Sequence, residues 1–251
     1  MELGAVIGAI DPTDPRALAE QCRQLEGSGY TSLWTAHGVG RGMMLPDPLM
    51  TLTVAATVTE TATLGTAVLQ VPLYPTADLA HRVITLQQLC GDRLIFGVGV
   101  GSTRDDFDAL GRDYARRFDT FGESMGGLRA LLADGAADGI NLGDWPPKIG
   151  GTPPIYLGTW GHGVERAAKD YDGWIASGMK RTVDEVEAAA ARYRSAGGGP
   201  AVVSTIILGP DTDLGELAER FARFDAAGFD RAVVWLFPGG PSAEDVRATL
   251  P

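Results

Sequence analysis

Short apolar runs alternate with amphipathic helical patterns along the entire chain. Eight of these runs are rich in Val, Ile and Leu and contain few polar residues, a pattern typical of parallel strands that are buried on both faces. The eight predicted strands cover residues 3–9, 32–36, 63–69, 94–100, 155–159, 173–177, 202–208 and 232–237.

A predicted helix follows each strand. Asp14 is expected to cap the first helix, and Thr182 followed by Glu185 has the spacing of a capping box for a later one. Gly228 stands where a helix would end in a left-handed residue. The predicted helices cover residues 15–26, 47–59, 77–89, 114–133, 164–170, 183–195, 214–227 and 243–250.

Eight βα units in 251 residues match the usual size of a (β/α)8 barrel. An open doubly wound sheet is the alternative, but no change in composition marks a second domain, and only one short helix follows the last strand. The sequence therefore predicts an α/β protein, a compact TIM barrel with few insertions that forms one domain over residues 1–251. Residues 135–154 are rich in Gly and Pro and are predicted to form a loop, with or without one extra short strand.

The chain carries 32 acidic and 21 basic side chains, which gives a formal net charge of −11. This excess disfavours binding to nucleic acid or to an anionic membrane surface, and no cluster of Lys and Arg offsets it. No apolar run approaches about 18 residues, the length that spans a bilayer, and the first residues lack the basic segment of a signal peptide. We therefore expect a cytoplasmic protein in which Cys22 and Cys90 are reduced packing residues.

Small residues occupy the ends of two consecutive predicted strands. The third strand ends in GTAV (residues 65–68), and the fourth ends in GVGS (residues 99–102). Ligands of α/β barrels bind at the C-terminal ends of the strands, and glycines there let a flat ring approach the backbone. The second motif is not a dinucleotide fingerprint, because no third glycine opens an apolar helix.

The loop after the fifth strand, GTWGHG (residues 158–163), leads into a predicted helix. Backbone N–H groups at a helix N-terminus form an anion site, and Thr159 adds a hydroxyl. No set of His, Cys, Asp and Glu has the spacing of metal ligands, so we expect no metal ion. Asp105 and Asp106 are interpreted as a solvated acidic turn, and His81 as an exposed or structural residue of a helix.

Four groups of segments, in this order, suggest a family: SLWTAH at the end of the second strand; GTAVLQVPLYP; GDRLIFGVGVGS followed by DDFDALG; and PIYLGTWG followed by DGW. Together they resemble the bacterial luciferase-like monooxygenase family over roughly residues 3 to 240. Members of that family use FMN or the deazaflavin coenzyme F420. Their fold is the (β/α)8 barrel, in agreement with the strand count.

The resemblance implies roles for particular residues. His37 would contact the flavin or act as acid or base, although Ala36 replaces the acid that F420-using members often place before it. A non-proline cis peptide is expected between Ala67 and Val68, behind the cofactor ring, and the cofactor phosphate is expected at residues 158–163. The expected cofactor-binding residues are Ala67, Val68, Gly99, Val100, Gly101, Ser102, Gly158, Thr159, Trp160, Gly161, His162 and Gly163.

We therefore expect an oxidoreductase that uses reduced FMN, as a monooxygenase, or alternatively F420, by hydride transfer, to oxidise a small organic substrate. Ala36 and Ser102 stand where some relatives carry a carboxylate, so a non-catalytic flavin-binding protein is a second hypothesis. Val100 stands where others carry an Arg that contacts the phosphate. A barrel isomerase or aldolase acting on a phosphorylated metabolite is the third. The resemblance also implies a homodimer and a separate flavin or F420 reductase as a partner.

Overall fold

The structure, a computed structural model, describes residues 1–250. Eight parallel strands close into a ring, because the third strand pairs with the fourth at Leu64 and Leu94 and the first pairs with the last at Gly4 and Val233. The barrel strands are β1 (Glu2–Val6), β2 (Ser32–Thr35), β3 (Thr63–Thr66), β4 (Leu94–Gly99), β5 (Ile155–Gly158), β6 (Gly173–Ser177), β7 (Ala201–Leu208) and β8 (Arg231–Leu236).

The closed ring confirms the TIM barrel and excludes the open doubly wound sheet. All eight predicted strands are present, with one interruption. The third predicted strand stops at Thr66, bulges at Ala67 and Val68, and resumes its pairing with β4 over the short strand Leu69–Gln70.

The helices pack on the outside of the strands through one large apolar cluster. Three of them begin one to three residues later than predicted. Asp14 accepts hydrogen bonds at its side chain and carbonyl from the N–H groups of Arg16 and Ala17, which closes a turn before the first helix begins. The helices are α1 (Ala17–Gly27), α2 (Pro48–Val58), α3 (Thr76–Cys90), α4 (Arg104–Ala109), α5 (Arg117–Asp134), α6 (Trp145–Lys148), α7 (Gly163–Asp170), α8 (Val183–Ser195), α9 (Leu214–Ala226) and α10 (Ala243–Arg247).

The irregular stretch 135–154 holds more structure than predicted. Two short strands, Ala136–Ala137 and Ile140–Asn141, form an antiparallel hairpin. Asp138 and Gly139 connect them with φ values of 49° and 79°, the conformation of the tight turns that an Asp-Gly pair favours. The signal for this hairpin is therefore present in the sequence as that dipeptide.

The barrel interior is filled by alternating large and small residues. Trp34 is fully buried there, and its indole Nε1 donates to Ser32 Oγ at 2.9 Å. A Cβ on Gly65 would overlap the Trp34 ring, so a neighbouring strand supplies the space that the indole occupies. Above this layer, four partly buried residues (Ala36, Ala67, Val68 and Trp235, called here the mouth layer) pack on the interior cluster.

Two of the three predicted capping signals are confirmed, whereas Asp14 does not cap α1, whose N-cap is Arg16. Thr182 Oγ1 accepts from the Glu185 N–H at 3.3 Å, and Glu185 Oε2 accepts from the Thr182 N–H at 2.9 Å, which completes the capping box of α8. Gly228 has φ +85° after α9. Its N–H donates to Asp225 O, and the N–H of Phe229 donates to Phe224 O, the pattern of a Schellman motif.

The capping box gives a simple test of local stability. Thr182→Ala removes the hydroxyl that accepts from the first turn of α8, so we expect the free energy of unfolding to fall by about 1 kcal/mol in chemical denaturation. Thr182→Ser keeps the acceptor and is the matched control, expected to unfold close to wild type. Equal losses in both variants would contradict a hydrogen-bonding role.

Cys22 and Cys90 are buried and do not form a disulfide, as expected. Burial raises the pKa of the Cys22 thiol to about 12 and that of the Cys90 thiol to about 11, so both stay protonated at neutral pH. Within residues 1–250, the structure contains no helix with the length and apolar composition that crossing a membrane requires.

Candidate functional site

The mouth of the barrel, at the C-terminal strand ends, brings together most of the predicted site residues. The peptide bond between Ala67 and Val68 is cis, which confirms that prediction. The Val68 side chain then lies over two glycines: a Cβ on Gly99 would be 2.6 Å from Val68 Cγ2, and a Cβ on Gly158 would be 2.5 Å from Val68 Cγ1. These glycines leave room for Val68, whereas the sequence suggested that they leave room for a flat ring.

The end of β4 turns away from this floor. Val100 packs against the outer core cluster, and Ser102 is exposed, with its carbonyl accepting from Tyr114 Oη at 3.1 Å. Gly101 has φ +86°, and a Cβ there would overlap Gln70 Oε1 and approach Phe107 to 2.9 Å. This segment therefore contacts the residues beside the mouth more than the floor itself.

The loop 158–163 joins β5 to α7. Thr159 Oγ1 lies so close to Gly163 that a Cβ on that glycine would overlap it, which puts the hydroxyl at the first turn of α7. His162 is exposed and makes no side-chain cap, and Gly161 has φ +62°. A hydroxyl beside a helix N-terminus suits an anion.

Trp160 is held from two sides. Its ring lies 6.3 Å from the Trp174 ring, centre to centre, and the Arg181 guanidinium carbon lies 4.7 Å from its centre. Trp174 Nε1 donates to Thr159 O at 3.1 Å. The indole of Trp160 therefore packs against the outer apolar cluster, and it is Trp174 that holds the Thr159 carbonyl.

His37 is only 9% exposed, and both of its ring nitrogens have partners. The Gln70 backbone N–H donates to His37 Nδ1 at 3.2 Å, and Tyr74 Oη lies 3.4 Å from His37 Nε2. Burial lowers the pKa of His37; nearby Asp47 and Asp106 oppose the shift and Arg41 adds to it. The ring is therefore neutral at pH 7.

Asp106 corrects the interpretation of residues 105 and 106 as a solvated turn. It lies in the first turn of α4 and is fully buried. Its carboxylate accepts from Val39 N–H at 2.8 Å, from Gln70 Nε2 at 2.8 Å, and from Arg41 through Nε at 2.8 Å and also through Nη2. Sequence reasoning missed Asp106, Gln70, Arg41 and Tyr74, and the one local hint was the apolar Phe107 directly after two aspartates.

The hydrogen bonds also decide the charge of this carboxylate. Burial by itself would raise the pKa of Asp106, but the donors Arg41, Gln70 and Val39 outweigh burial and hold the pKa below its ordinary value. Asp106 is therefore ionised at neutral pH.

His81 is exposed on α3, as expected.

Two further features bear on the location of the site. No group of three or more His, Cys, Asp and Glu side chains in residues 1–250 is arranged to hold a metal ion. A cavity of about 730 Å³ opens at the opposite end of the barrel, beside Glu2, Tyr156 and Arg231, and no predicted site residue lines it. Ligand sites of this fold lie at the other end.

Comparison with known proteins identifies the family. The model of the luciferase-like monooxygenase family matches residues 4–226. The chain belongs to this family. Membership in the luciferase-like monooxygenases supports an oxidoreductase, and it confirms the resemblance that the sequence segments suggested.

Among its relatives, 5,10-methylenetetrahydromethanopterin reductase of Methanolobus tindarius is 32% identical over 202 residues, which is 75% of this chain and 59% of the relative. The 4-hydroxyprotoasukamycin monooxygenase of Streptomyces nodosus subsp. asukaensis is 32% identical over 128 residues, which is 50% of this chain and 34% of that enzyme. The chain thus spans less than two thirds of the length of these curated relatives.

Solved structures of luciferase-like proteins share the fold. The coenzyme F420-dependent tetrahydromethanopterin reductase of Methanopyrus kandleri superposes with a TM-score of 0.72 at 15% identity, covering 99% of this chain and 96% of that one. A type II Baeyer–Villiger monooxygenase component of Pseudomonas putida, in complex with FMN, superposes with a TM-score of 0.66 at 16% identity, covering 100% and 84%.

Proposed function

We propose that the chain is a flavin-dependent oxidoreductase that binds reduced FMN at the mouth of the barrel and uses it to oxygenate a small organic molecule. One observation carries the proposal. The paired strands β4 and β5 bring the Val68 floor and the loop 158–163 side by side. An apolar platform and an anion site on adjacent strand ends suit a flat ring that carries a phosphate.

The residues at the mouth fit this cofactor. Thr159 Oγ1 stands at the first turn of α7, where a phosphate would also meet backbone N–H groups. The mouth layer would form the surface beneath the ring. Reduced FMN, when bound, supplies the electrons that activate molecular oxygen. The protein would bind the cofactor and orient it, and a catalytic role of His37 stays a prediction.

F420 is the second candidate cofactor. The methylenetetrahydromethanopterin reductase aligns over 75% of this chain, and two cations border the loop 158–163. The Arg181 guanidinium covers Trp160, and Arg192 Nη2 lies 3.5 Å from Gly161 O. The acidic tail of F420 could form ion pairs with Arg181 and Arg192. We favour FMN because the net charge of −11 disfavours an acidic ligand.

Binding experiments separate these candidates. The purified protein would be titrated with FMN and separately with F420, each oxidised and reduced, while absorbance and fluorescence are followed. We expect saturable binding of FMN. Saturation by F420 alone would select the second candidate. Binding of neither would contradict the proposal and favour a barrel enzyme that acts on a phosphorylated metabolite.

Thr159→Val tests the phosphate position. Because the variant loses a hydroxyl that would donate to a charged group, we expect the Kd for FMN to rise about tenfold or more. Riboflavin, which has no phosphate, should bind the variant and the wild type equally. Thr31→Val, directly before β2 and at the opposite end of the barrel, is the control and should leave both affinities unchanged. An equal loss for FMN and riboflavin would argue against a phosphate at this loop.

Turnover and mass test the remaining parts of the proposal. We propose that a separate reductase supplies the reduced cofactor, so a coupled assay with a flavin reductase should consume NAD(P)H and oxygen in the presence of a substrate. Cofactor binding without any turnover would favour the non-catalytic flavin-binding protein. We also propose a homodimer, for which light scattering should give about twice the chain mass of 26.4 kDa.

A further inference from the structure

Within residues 1–250, the buried carboxylate of Asp106 accepts hydrogen bonds from three residues, and one of them, Gln70, also contacts His37. We propose that Asp106 is a positioning residue: by holding the Gln70 amide, it keeps His37 as the Nε2-protonated tautomer, with its only N–H directed at Tyr74. The inference deepens the proposed function, on which its purpose rests, but its test needs no cofactor.

The tautomer of His37 follows from the partners of its two ring nitrogens. The partner of Nδ1 is the Gln70 backbone N–H, at 3.2 Å, and a backbone N–H can only donate. Nδ1 must therefore carry a lone pair, and in the neutral ring the proton is on Nε2. Nε2–H then has the Tyr74 hydroxyl oxygen as its acceptor, at 3.4 Å.

Gln70 holds His37 at two points. While its backbone N–H bonds the ring, its side-chain Nε2 donates to His37 O at 3.2 Å and to Asp106 Oδ2 at 2.8 Å. Gln70 is 3% exposed, and its Oε1 is buried without a partner in the part of the chain that the structure describes. The orientation of the Gln70 side-chain amide is therefore set by the two acceptors of its NH2 group, His37 O and the Asp106 carboxylate. Asp106 is the charged one of the two.

Charged groups face His37 from three sides: Asp47 at the start of α2, Arg41 in the loop after β2, and Asp106 on α4. Tyr74, from the segment before α3, is the titratable neighbour, and burial raises its pKa to about 12. Tyr74 is therefore neutral, and the arrangement presents one fixed donor from His37 to a protonated phenol that is only partly buried.

Asp106→Asn tests this chain of contacts because it keeps the size of the side chain and changes its donor pattern. The amide can keep its oxygen for Val39 N–H and Arg41 Nε, but its NH2 group then faces Arg41 Nη2 and Gln70 Nε2, which are both donors. Gln70 can then satisfy the new donor only by turning its Oε1 inward, which sets that oxygen against His37 O. Gln70 then no longer holds the His37 backbone and ring in place, so Nδ1 and Nε2 of His37 should compete for the proton.

The readout is the long-range ¹H–¹⁵N NMR spectrum of the cofactor-free protein labelled at histidine. The chain has three histidines, and the exposed His81 and His162 serve as internal references. We expect wild-type His37 to show only the Nε2–H pattern at pH 7. In Asp106→Asn, the tautomer ratio should shift about fivefold towards Nδ1–H, the effect of losing one ordinary hydrogen bond.

Asp108→Asn, an exposed carboxylate on the same helix, is the matched control and should leave the His37 pattern unchanged. If Asp106→Asn fails to fold, Gln70→Met replaces it, since that variant removes only the amide link and should shift the ratio in the same direction. A folded Asp106→Asn or Gln70→Met protein that keeps the pure Nε2–H pattern would overturn the proposal, whatever its melting temperature. Failure of FMN to bind would leave this result unaffected.

Discussion

Gly97→Ala should lower the free energy of unfolding by about 3 kcal/mol, the upper range for forcing an extra carbon into a packed core. A Cβ on Gly97 would overlap the Thr66 carbonyl oxygen and lie 2.6 Å from Ile175 Cδ1. Thr66 Oγ1 also donates to Gly97 O at 2.6 Å. Because the nearest atom belongs to a backbone, no side-chain rotation relieves the overlap, and β3 and β4 must separate.

Gly122→Ala is the control for the added methyl group. Gly122 lies in α5 and is exposed, and a Cβ there would have no obstructing atom within 4 Å. Alanine favours a helix over glycine, so this variant should gain about 0.5–1 kcal/mol. Denaturant unfolding followed by circular dichroism measures both variants. Wild-type stability in Gly97→Ala would mean that β3 and β4 are not in such close contact.

Asp106→Ala should also cost about 3 kcal/mol at pH 7, because it leaves donors of Val39, Arg41 and Gln70 beside a small cavity. The Arg41 side chain is 33% exposed, so water can solvate its freed charge, and we place the cost at the low end of the range for broken buried ion pairs. Asp108→Ala, on the exposed side of α4, should change stability by less than about 0.5 kcal/mol.

The difference in unfolding free energy between wild type and Asp106→Ala should depend on pH in one direction. The pKa of Asp106 is lowered in the folded protein, so its contribution to stability is complete above the unfolded value of 3.8 and is lost as the pH falls through the lower folded value. The gap between wild type and Asp106→Ala should therefore stay constant from pH 7 to about pH 5 and narrow below about pH 4. A gap that does not change with acid would contradict an ionised Asp106.

The framework of the protein follows from patterns that are local in the chain. Apolar periodicity located all eight barrel strands, because a strand buried on both faces needs a continuous apolar run whatever its neighbours are. The capping box at Thr182 and the left-handed Gly228 were also predicted correctly, since each depends on atoms within a few residues. The cis bond at Ala67–Val68 followed from family resemblance rather than from any property of the local sequence.

The site depends on contacts between segments that are far apart in the chain. In the sequence, Asp106 stands among other acidic residues and nothing there predicts its burial. It can be buried because the loop after β2 and the segment after β3 supply hydrogen-bond donors from 36 to 67 residues away. The neutral tautomer of His37 depends in the same way on Gln70, 33 residues downstream. Periodicity records which face of an element is apolar, but it does not record which polar groups meet when the barrel closes. That meeting of distant donors and acceptors, set by the closed ring of strands, determines the charge and orientation of the groups at the mouth.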